Sequence, residues 1–228
     1  MRLGALFSGG KDSTYSILKA VEMGHEVSCL IIIHPAADDS LLFHYPNSKL
    51  AEMLAAAMGL PKITSVAAGL SKEDEMACLQ RAITDAQAKF GIEGVVFGGI
   101  SSKFQKSAVE AICSRNGLST VAPIWGLDPA RYMQDLLARD FKMIIVGVSA
   151  MGLGKEWLGQ MIDAPALAKL GVLSERNGFN LNFEGGEAET LVIDCPLFRR
   201  RLEVRRASTL WDGQRGIFEI QEAALVEK

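Results

Sequence analysis

A doubly wound parallel α/β sheet followed by a smaller C-terminal α/β domain is the fold class this sequence predicts, and three observations carry the prediction. Short apolar runs alternate with segments of helical spacing through the first half of the chain. The run over residues 26–33 is almost continuously apolar, as a strand covered on both faces must be. The opening run over residues 2–7 passes through Ser8-Gly9-Gly10-Lys11-Asp12-Ser13 into a segment with apolar positions at helical spacing, giving the order strand, glycine turn, helix.

Each element follows from a local signal. After the first helix and the strand at 26–33, a loop over 34–47 contains Pro35 and Pro46. Residues 49–58 put Leu50, Met53, Leu54 and Ala57 on one helical face, and Gly59 stops them. A short strand is expected at 63–67, then a long helix over 71–90 opened by the capping-box pattern of Ser71 and Asp74. Residues 94–99 read as a strand and its exit turn, and 102–116 as a helix with Gly117 as its stop. The breakers around Trp125 mark a boundary, dividing the chain into residues 1–122 and 123–228. Beyond it, 129–139 reads as helix, 142–148 as strand, and 202–226 as two strands joined near Asp212-Gly213. No internal repeat or low-complexity segment interrupts this order.

Composition narrows the classes. With 228 residues, 49% hydrophobic and 22% charged, the chain can bury a sizeable core. A net charge of −3 argues against stable wrapping of nucleic acid, although Arg199-Arg200-Arg201 with Arg205-Arg206 is a dense basic run. That run suits either an acidic face of a partner or a strand edge kept from aggregating. The four cysteines Cys29, Cys78, Cys113 and Cys195 are scattered without a Cys-x-x-Cys pair, so zinc and iron–sulfur sites are not expected and a reduced, cytoplasmic protein is. No signal peptide or membrane span is read.

The chemistry concentrates in two stretches. In the first, a helix N-terminus offers unpaired N–H groups and partial positive charge, where an anion can settle. Gly9 and Gly10 let a phosphate approach the backbone, Ser8 and Ser13 add hydroxyls and Lys11 a cation. Asp12 suggests a helix cap or a place near a metal. In the second, Glu184, Glu187 and Glu189 crowd around Gly185-Gly186 before an apolar strand, and like charges so close imply a cation among them. Magnesium, ammonium and a cationic substrate group all satisfy that requirement. In a parallel sheet the loops after residues 7, 33 and 97 lie at carboxyl ends of strands, over one crevice.

Ser8-Gly9-Gly10-Lys11-Asp12-Ser13 resembles the pyrophosphate loop of the N-type ATP pyrophosphatases, a Rossmann-like fold of the adenine nucleotide α-hydrolase type. The whole set of motifs resembles the diphthine–ammonia ligase family: that loop, Phe43-His44-Tyr45-Pro46-Asn47, Gly98-Gly99-Ile100-Ser101-Ser102 with Phe104-Gln105, Pro123-Ile124-Trp125, and Gly185-Gly186-Glu187-Ala188-Glu189-Thr190 with Asp194 and Pro196. The resemblance implies ATP-dependent amidation of diphthine, a modified histidine on translation elongation factor 2, to diphthamide. The acid is first adenylated with loss of pyrophosphate, then ammonia displaces AMP.

On that resemblance, ATP with Mg2+ is bound by Ser8, Gly9, Gly10, Lys11, Asp12, Ser13, Gly98, Gly99 and Ser101, with Asp12 toward the metal. His44, Asn47, Ser102, Gln105, Gly185, Gly186, Glu187, Glu189 and Thr190 face the substrate, and Lys11, Asp12, Glu187 and Glu189 are the catalytic candidates. Ammonium as nitrogen donor and a homodimer are expected on the resemblance alone. The bland alternatives are capping by Ser101 and Ser102, a self-held loop at His44 and Asn47, and packing for Trp125 and Trp157. Family members usually carry an arginine three residues beyond Gln105, where this chain has Ala108, with Lys103 and Lys106 nearby. Two rival functions remain at this stage: a tRNA-modifying enzyme of the same superfamily that adenylates a base, and a module that binds ATP without chemistry.

Overall fold

Strands β1 (Arg2–Leu6), β2 (Glu26–His34), β3 (Lys62–Val66), β4 (Gly94–Val96) and β5 (Ser119–Val121) form a five-stranded sheet in the order β3-β2-β1-β4-β5. Every pairing in it is parallel. This architecture is seen in a computed structural model that describes residues 1–34, 47, 50–69 and 71–228. The first of two units, Met1–Gly126, contains this sheet, and the second spans Leu127–Lys228.

The helices of the first unit are α1 (Lys11–Glu22), α2 (Leu50–Met58), α3 (Lys72–Phe90) and α4 (Lys103–Arg115). Right-handed crossovers from β1 through β3 put α1 and α2 on one face, and the return from β3 to β4 and β5 puts α3 and α4 on the other. The side chains of β2 divide accordingly. Cys29, Ile31 and Ile33 pack with Cys78, Leu79, Ala82 and Ile83 of α3 and Val109, Ile112 and Cys113 of α4. Leu30 and Ile32 alternate with them and are equally buried. Strand order reverses between β1 and β4, so the turns leaving these two neighbours open side by side at the carboxyl edge.

Capping sets the helix starts. Ser71 accepts the Asp74 N–H at 3.1 Å at the head of α3, and Gly91 ends that helix in the left-handed region at φ 60°. Each such serine cap contributes about 1 kcal/mol.

The second unit contains β6 (Lys142–Val148), β7 (Ala188–Asp194), β8 (Arg201–Trp211) and β9 (Gly216–Val226), ordered β7-β6-β9-β8 and antiparallel throughout, with helices α5 (Pro129–Ala138) and α6 (Ala164–Asn177). The smaller domain therefore carries helices beside an antiparallel sheet. The hairpin expected near Asp212-Gly213 is β8–β9, with Asp212 Oδ1 accepting the N–H groups of Gln214 and Arg215 at 2.8 and 2.7 Å. Helix α6 has no counterpart among the elements expected from periodicity. Its signals are nonetheless present: Asp163 caps Ala166 N–H at 2.8 Å, Pro165 sits in the first turn, and Gly178 closes the helix at φ 77°. Residues 159–162 pair with β6 through Gly159 N–H to Ile145 O (2.8 Å) and Ile162 N–H to Met143 O (2.9 Å). Phe218 of β9 lies over Gly159, within 2.7 Å of where a Cβ would stand.

All four cysteines are free and buried. Burial pushes the Cys29 thiol up to about 11 and the Cys195 thiol up to about 12, and raises those of Cys78 and Cys113. A raised thiol stays protonated, and the protonated form is a poor nucleophile. Iodoacetamide at about pH 8 is therefore expected to leave the native protein at its unmodified intact mass and to alkylate all four cysteines in denaturant. A rapid adduct on the native protein would contradict this.

Candidate active site

The turn after β1 is organised by its own small side chains. Gly9 adopts φ 84°, a left-handed conformation suited to glycine, and Gly10 is the extended residue that begins α1. The Ser8 hydroxyl accepts the Gly10 N–H at 3.3 Å and lies 3.1 Å from the Ser13 hydroxyl, which donates to Gly10 O at 3.2 Å. Thr14, fully buried, donates to the same carbonyl at 2.8 Å. These bonds hold the turn open as a cradle of N–H and O–H groups at the head of a helix, which suits a phosphate chain.

Asp12 does not cap α1. Gly10 is the cap residue, with no side-chain cap, and Asp12 lies in the first turn with its carboxylate 2.9 and 3.1 Å from Lys11 Nζ. Lys11 is only 2% exposed, so its ammonium is held beside that carboxylate rather than extended into water.

Gly98 forms the other wall. A Cβ there would stand 2.9 Å from the Ser13 N and Cα atoms and 3.0 Å from the Asp12 carbonyl carbon, so the chain leaving β4 touches the first turn of α1 backbone to backbone. Gly99 is packed by the ring of Phe97, 2.2 Å from its would-be Cβ. Ser101 is exposed, while Ser102 caps α4 by accepting the Gln105 N–H at 3.4 Å. Capping thus accounts for Ser102 and for the backbone of Gln105. Ala108 is buried on α4, so no cation stands at that position, and Lys106 lies 4.5 Å over the Trp125 ring. Trp125 packs on the core of the first unit, and Trp157 is buried in the second. Asn47 adopts φ 60° and its carbonyl accepts the Leu50 N–H at 2.8 Å, opening α2. His44 and its neighbours 43, 45 and 46 lie outside the described residues.

Sequence reasoning passed over a group at the far end of β2. His34 Nε2 lies 3.3 Å from Glu52 Oε1, and Lys62 pairs with the other oxygen of the same carboxylate. The Lys62 hydrogen bond, with a smaller contribution from His34, holds the Glu52 carboxyl below the usual range. The available signal was His34 as the last residue of an apolar strand.

In the second unit, the acidic stretch is a loop tied by one of its own carboxylates. Glu187 Oε1 accepts the Asn180 N–H at 2.9 Å and Asn180 Nδ2 at 3.0 Å, and Oε2 accepts the Gly185 N–H at 2.8 Å. Ser149 at the end of β6 donates to Gly186 O at 2.6 Å, and its own N–H meets Glu187 O at 2.9 Å. Phe183 is held at φ 60° and Asn182 is 3% exposed, giving the loop a single backbone path. Glu189 and Thr190 follow on β7, Glu189 half-buried and Thr190 buried. The repulsion that implied a cation is met at Glu187 by N–H donors. Among the described residues, no three His, Cys, Asp or Glu side chains converge as a metal-ligand set.

A glycine turn with serine hydroxyls, a helix N-terminus and a facing glycine, all at the switch point of a parallel sheet, define a nucleotide-binding α/β protein. The diphthamide synthase N-terminal domain model matches residues 1–120 and the C-terminal domain model residues 128–226. The chain belongs to the diphthamide synthase family. Its relatives include proteins named diphthine–ammonia ligase from Bos taurus, 31% identical over 90% of this chain and 83% of that one, and from Mus musculus, 32% identical over the same shares. The Schizosaccharomyces pombe relative of that name is 31% identical over 89% of this chain but 36% of its own length. A solved chain described as a predicted subunit of tRNA methyltransferase from Methanocaldococcus jannaschii aligns over 86% of this chain with a TM-score of 0.41 and 18% identity. No helix among the described residues is long and apolar enough to cross a membrane.

Two variants probe this geometry. Gly98→Ala must displace the first turn of α1, and is expected to lower AMP-forming turnover by about 100-fold while the melting temperature falls by only a few degrees. Glu187→Ala is expected to speed amide exchange at Asn180 and Gly185 by about tenfold, read by hydrogen-exchange mass spectrometry. Unchanged exchange there would deny Glu187 its tying role.

Proposed function

We propose that this protein is an ATP-dependent ligase that converts the carboxylate of diphthine on translation elongation factor 2 to the amide of diphthamide, using ammonium. One observation carries the reading: both family domain models match in order across nearly the whole chain, and the curated relatives that match share the name diphthine–ammonia ligase. Ligation of this kind requires ATP. The protein acceptor, its elongation-factor identity and free ammonium as donor are parts of the proposal.

The chemistry explains why such a site is needed. A carboxylate is a poor acyl donor, and transfer of AMP to its oxygen turns that oxygen into a leaving group. The N–H groups of Gly9 and Gly10, with the Ser8 and Ser13 hydroxyls, hold the outer phosphates and stabilise the charge that gathers on departing pyrophosphate. Lys11 supplies positive charge from a buried position, and Asp12 keeps it oriented. Gly98 lets the loop after β4 lie against this cradle, so that Gly99 and Ser101 flank the nucleotide. Mg2+, where bound, would be held by Asp12 and would supply charge neutralisation to the phosphates. In the second domain Glu187 shapes the loop, while Glu189, with Gly185, Gly186 and Thr190, meets the cationic group of diphthine or the incoming ammonium. Asn47, His44 and Gln105 belong to the substrate side of the same reading. Residues 1–122 are the nucleotide-binding domain and 123–228 the substrate domain. The protein works in the cytoplasm, and a homodimer follows from the family resemblance.

The tRNA-modifying alternative is not favoured. Sulfur-transferring members of the superfamily need reactive cysteines, and all four here are buried with raised thiols. A passive ATP-binding module has no use for the ordered acidic loop.

The deciding experiment is AMP formation from ATP by purified protein, with and without ammonium and an elongation factor 2 bearing diphthine. AMP is expected only with the modified factor, whose mass changes from that of acid to that of amide. Glu189→Gln is expected to lose about two orders of magnitude in turnover while leaving ATP binding intact. ATP binding without AMP formation on that acceptor would reject the substrate.

A further inference from the structure

We infer that His34 reads a hydrogen-bond donor of the bound nucleotide through Nδ1, so that it is a specificity-determining residue for the base or the ribose. The inference rests on the nucleotide-binding reading of the first domain and adds to it a residue outside the glycine turn.

The position follows from register. Leu6 pairs with Ile31, and the Phe7 N–H reaches Ile31 O at 2.9 Å as β1 gives way to the Ser8–Ser13 turn. Strand β2 continues past that point and ends at His34, on the same carboxyl edge of the sheet and on the strand next to the turn. Its imidazole is fastened from the side of α2 and β3: Nε2 lies 3.3 Å from Glu52 Oε1, and the other Glu52 oxygen is taken by Lys62.

These partners decide which nitrogen carries the proton. A carboxylate held ionised by a lysine can only accept, so Nε2 must donate to it. In the neutral imidazole Nδ1 is then a bare lone pair, an acceptor. That atom is shielded from water and has no hydrogen-bond partner among the described residues. The side chain as a whole is 16% exposed. A folded protein rarely leaves a shielded acceptor unmatched, because forming it strips away water with nothing in return. An unmatched acceptor at the ligand-binding edge is matched when the ligand brings the donor.

The chemistry of the donor is narrow. Phosphate oxygens at neutral pH do not donate, so His34 is not part of the phosphate cradle. A nucleoside triphosphate carries two kinds of donor, the exocyclic amine of adenine and the ribose hydroxyls. Both answer to the same lone pair.

The test measures dissociation constants by calorimetry for ATP, for the purine riboside triphosphate that lacks the amine, and for 2′-deoxy and 3′-deoxy ATP. Wild-type protein is compared with His34→Leu, His34→Asn and His34→Gln. His34→Leu is expected to weaken ATP binding about tenfold and to leave unchanged the affinity for whichever analogue lacks the matched donor. Loss of the effect with the purine riboside assigns the base amine; loss with a deoxy analogue assigns that hydroxyl. Asparagine puts its amide oxygen near the place of Nδ1 and is expected to keep most of the discrimination. Glutamine reaches the place of Nε2 and is expected to lose it, so this pair decides the matter even if His34→Leu does not fold. Equal weakening toward every nucleotide, equal behaviour of the asparagine and glutamine variants, or wild-type affinity in His34→Leu overturns the inference. Failure of the wild-type protein to bind ATP would overturn the nucleotide reading itself, whereas failure of the ligase assay alone leaves this inference standing.

Discussion

The first turn of α1 and the exit of β4 touch backbone to backbone at Gly98, and the arrangement of the first domain's ligand edge depends on that contact. A parallel sheet whose strand order reverses must leave a gap at its switch point, because neighbouring crossovers depart to opposite faces. Here the gap is narrowed until only a residue without a side chain fits between the two chains. The result is that the N–H groups at the head of α1 and the loop over residues 98–102 form one surface. The serine and threonine hydroxyls around Gly10 hold that surface in shape through bonds of 2.8 to 3.3 Å that stay within the turn.

The acidic loop of the second domain follows a different logic. Three carboxylates within six residues look like a cation trap. Yet the middle one, Glu187, spends its oxygens on Asn180 and Gly185, and Ser149 fastens the loop to the end of β6. A charge satisfied by backbone N–H groups is a means of fixing a chain path, and an ordered path presents the next carboxylate, Glu189 on β7, at a defined place. Glu187 thus serves the path of the loop, although it belongs to one motif with Glu184 and Glu189.

Much of the first domain was legible because its signals are local. The nine-residue strand β2 is apolar on both faces, Ser71 caps its own helix three residues on, and Gly-Gly follows a strand and precedes a helix. The β8–β9 hairpin announced itself through Asp212-Gly213. Helix α6 was less legible because its apolar face is narrow: Ala166, Leu167 and Leu170 are buried while Val172 is 66% exposed, so periodicity is weak and only the Asp163 cap and the Gly178 stop mark its ends. Nothing local tells that β6 and β7 pair antiparallel, since either direction buries the same residues. The length of the connection between them allowed both.

What the sequence by itself determined is most of the elements of the first domain, the glycine turn between β1 and α1 and the family, since turn chemistry, capping and motif order are properties of neighbours along the chain. Tertiary structure alone decided which polar side chains are held by other groups of the fold. Lys11 is buried against Asp12, Glu187 ties its loop, and His34 is fastened by Glu52 and Lys62 from distant elements. The physical reason is that a polar group's role is fixed by the partners that satisfy it. Those partners are brought together by folding, across separations of up to eighteen residues for His34 and Glu52.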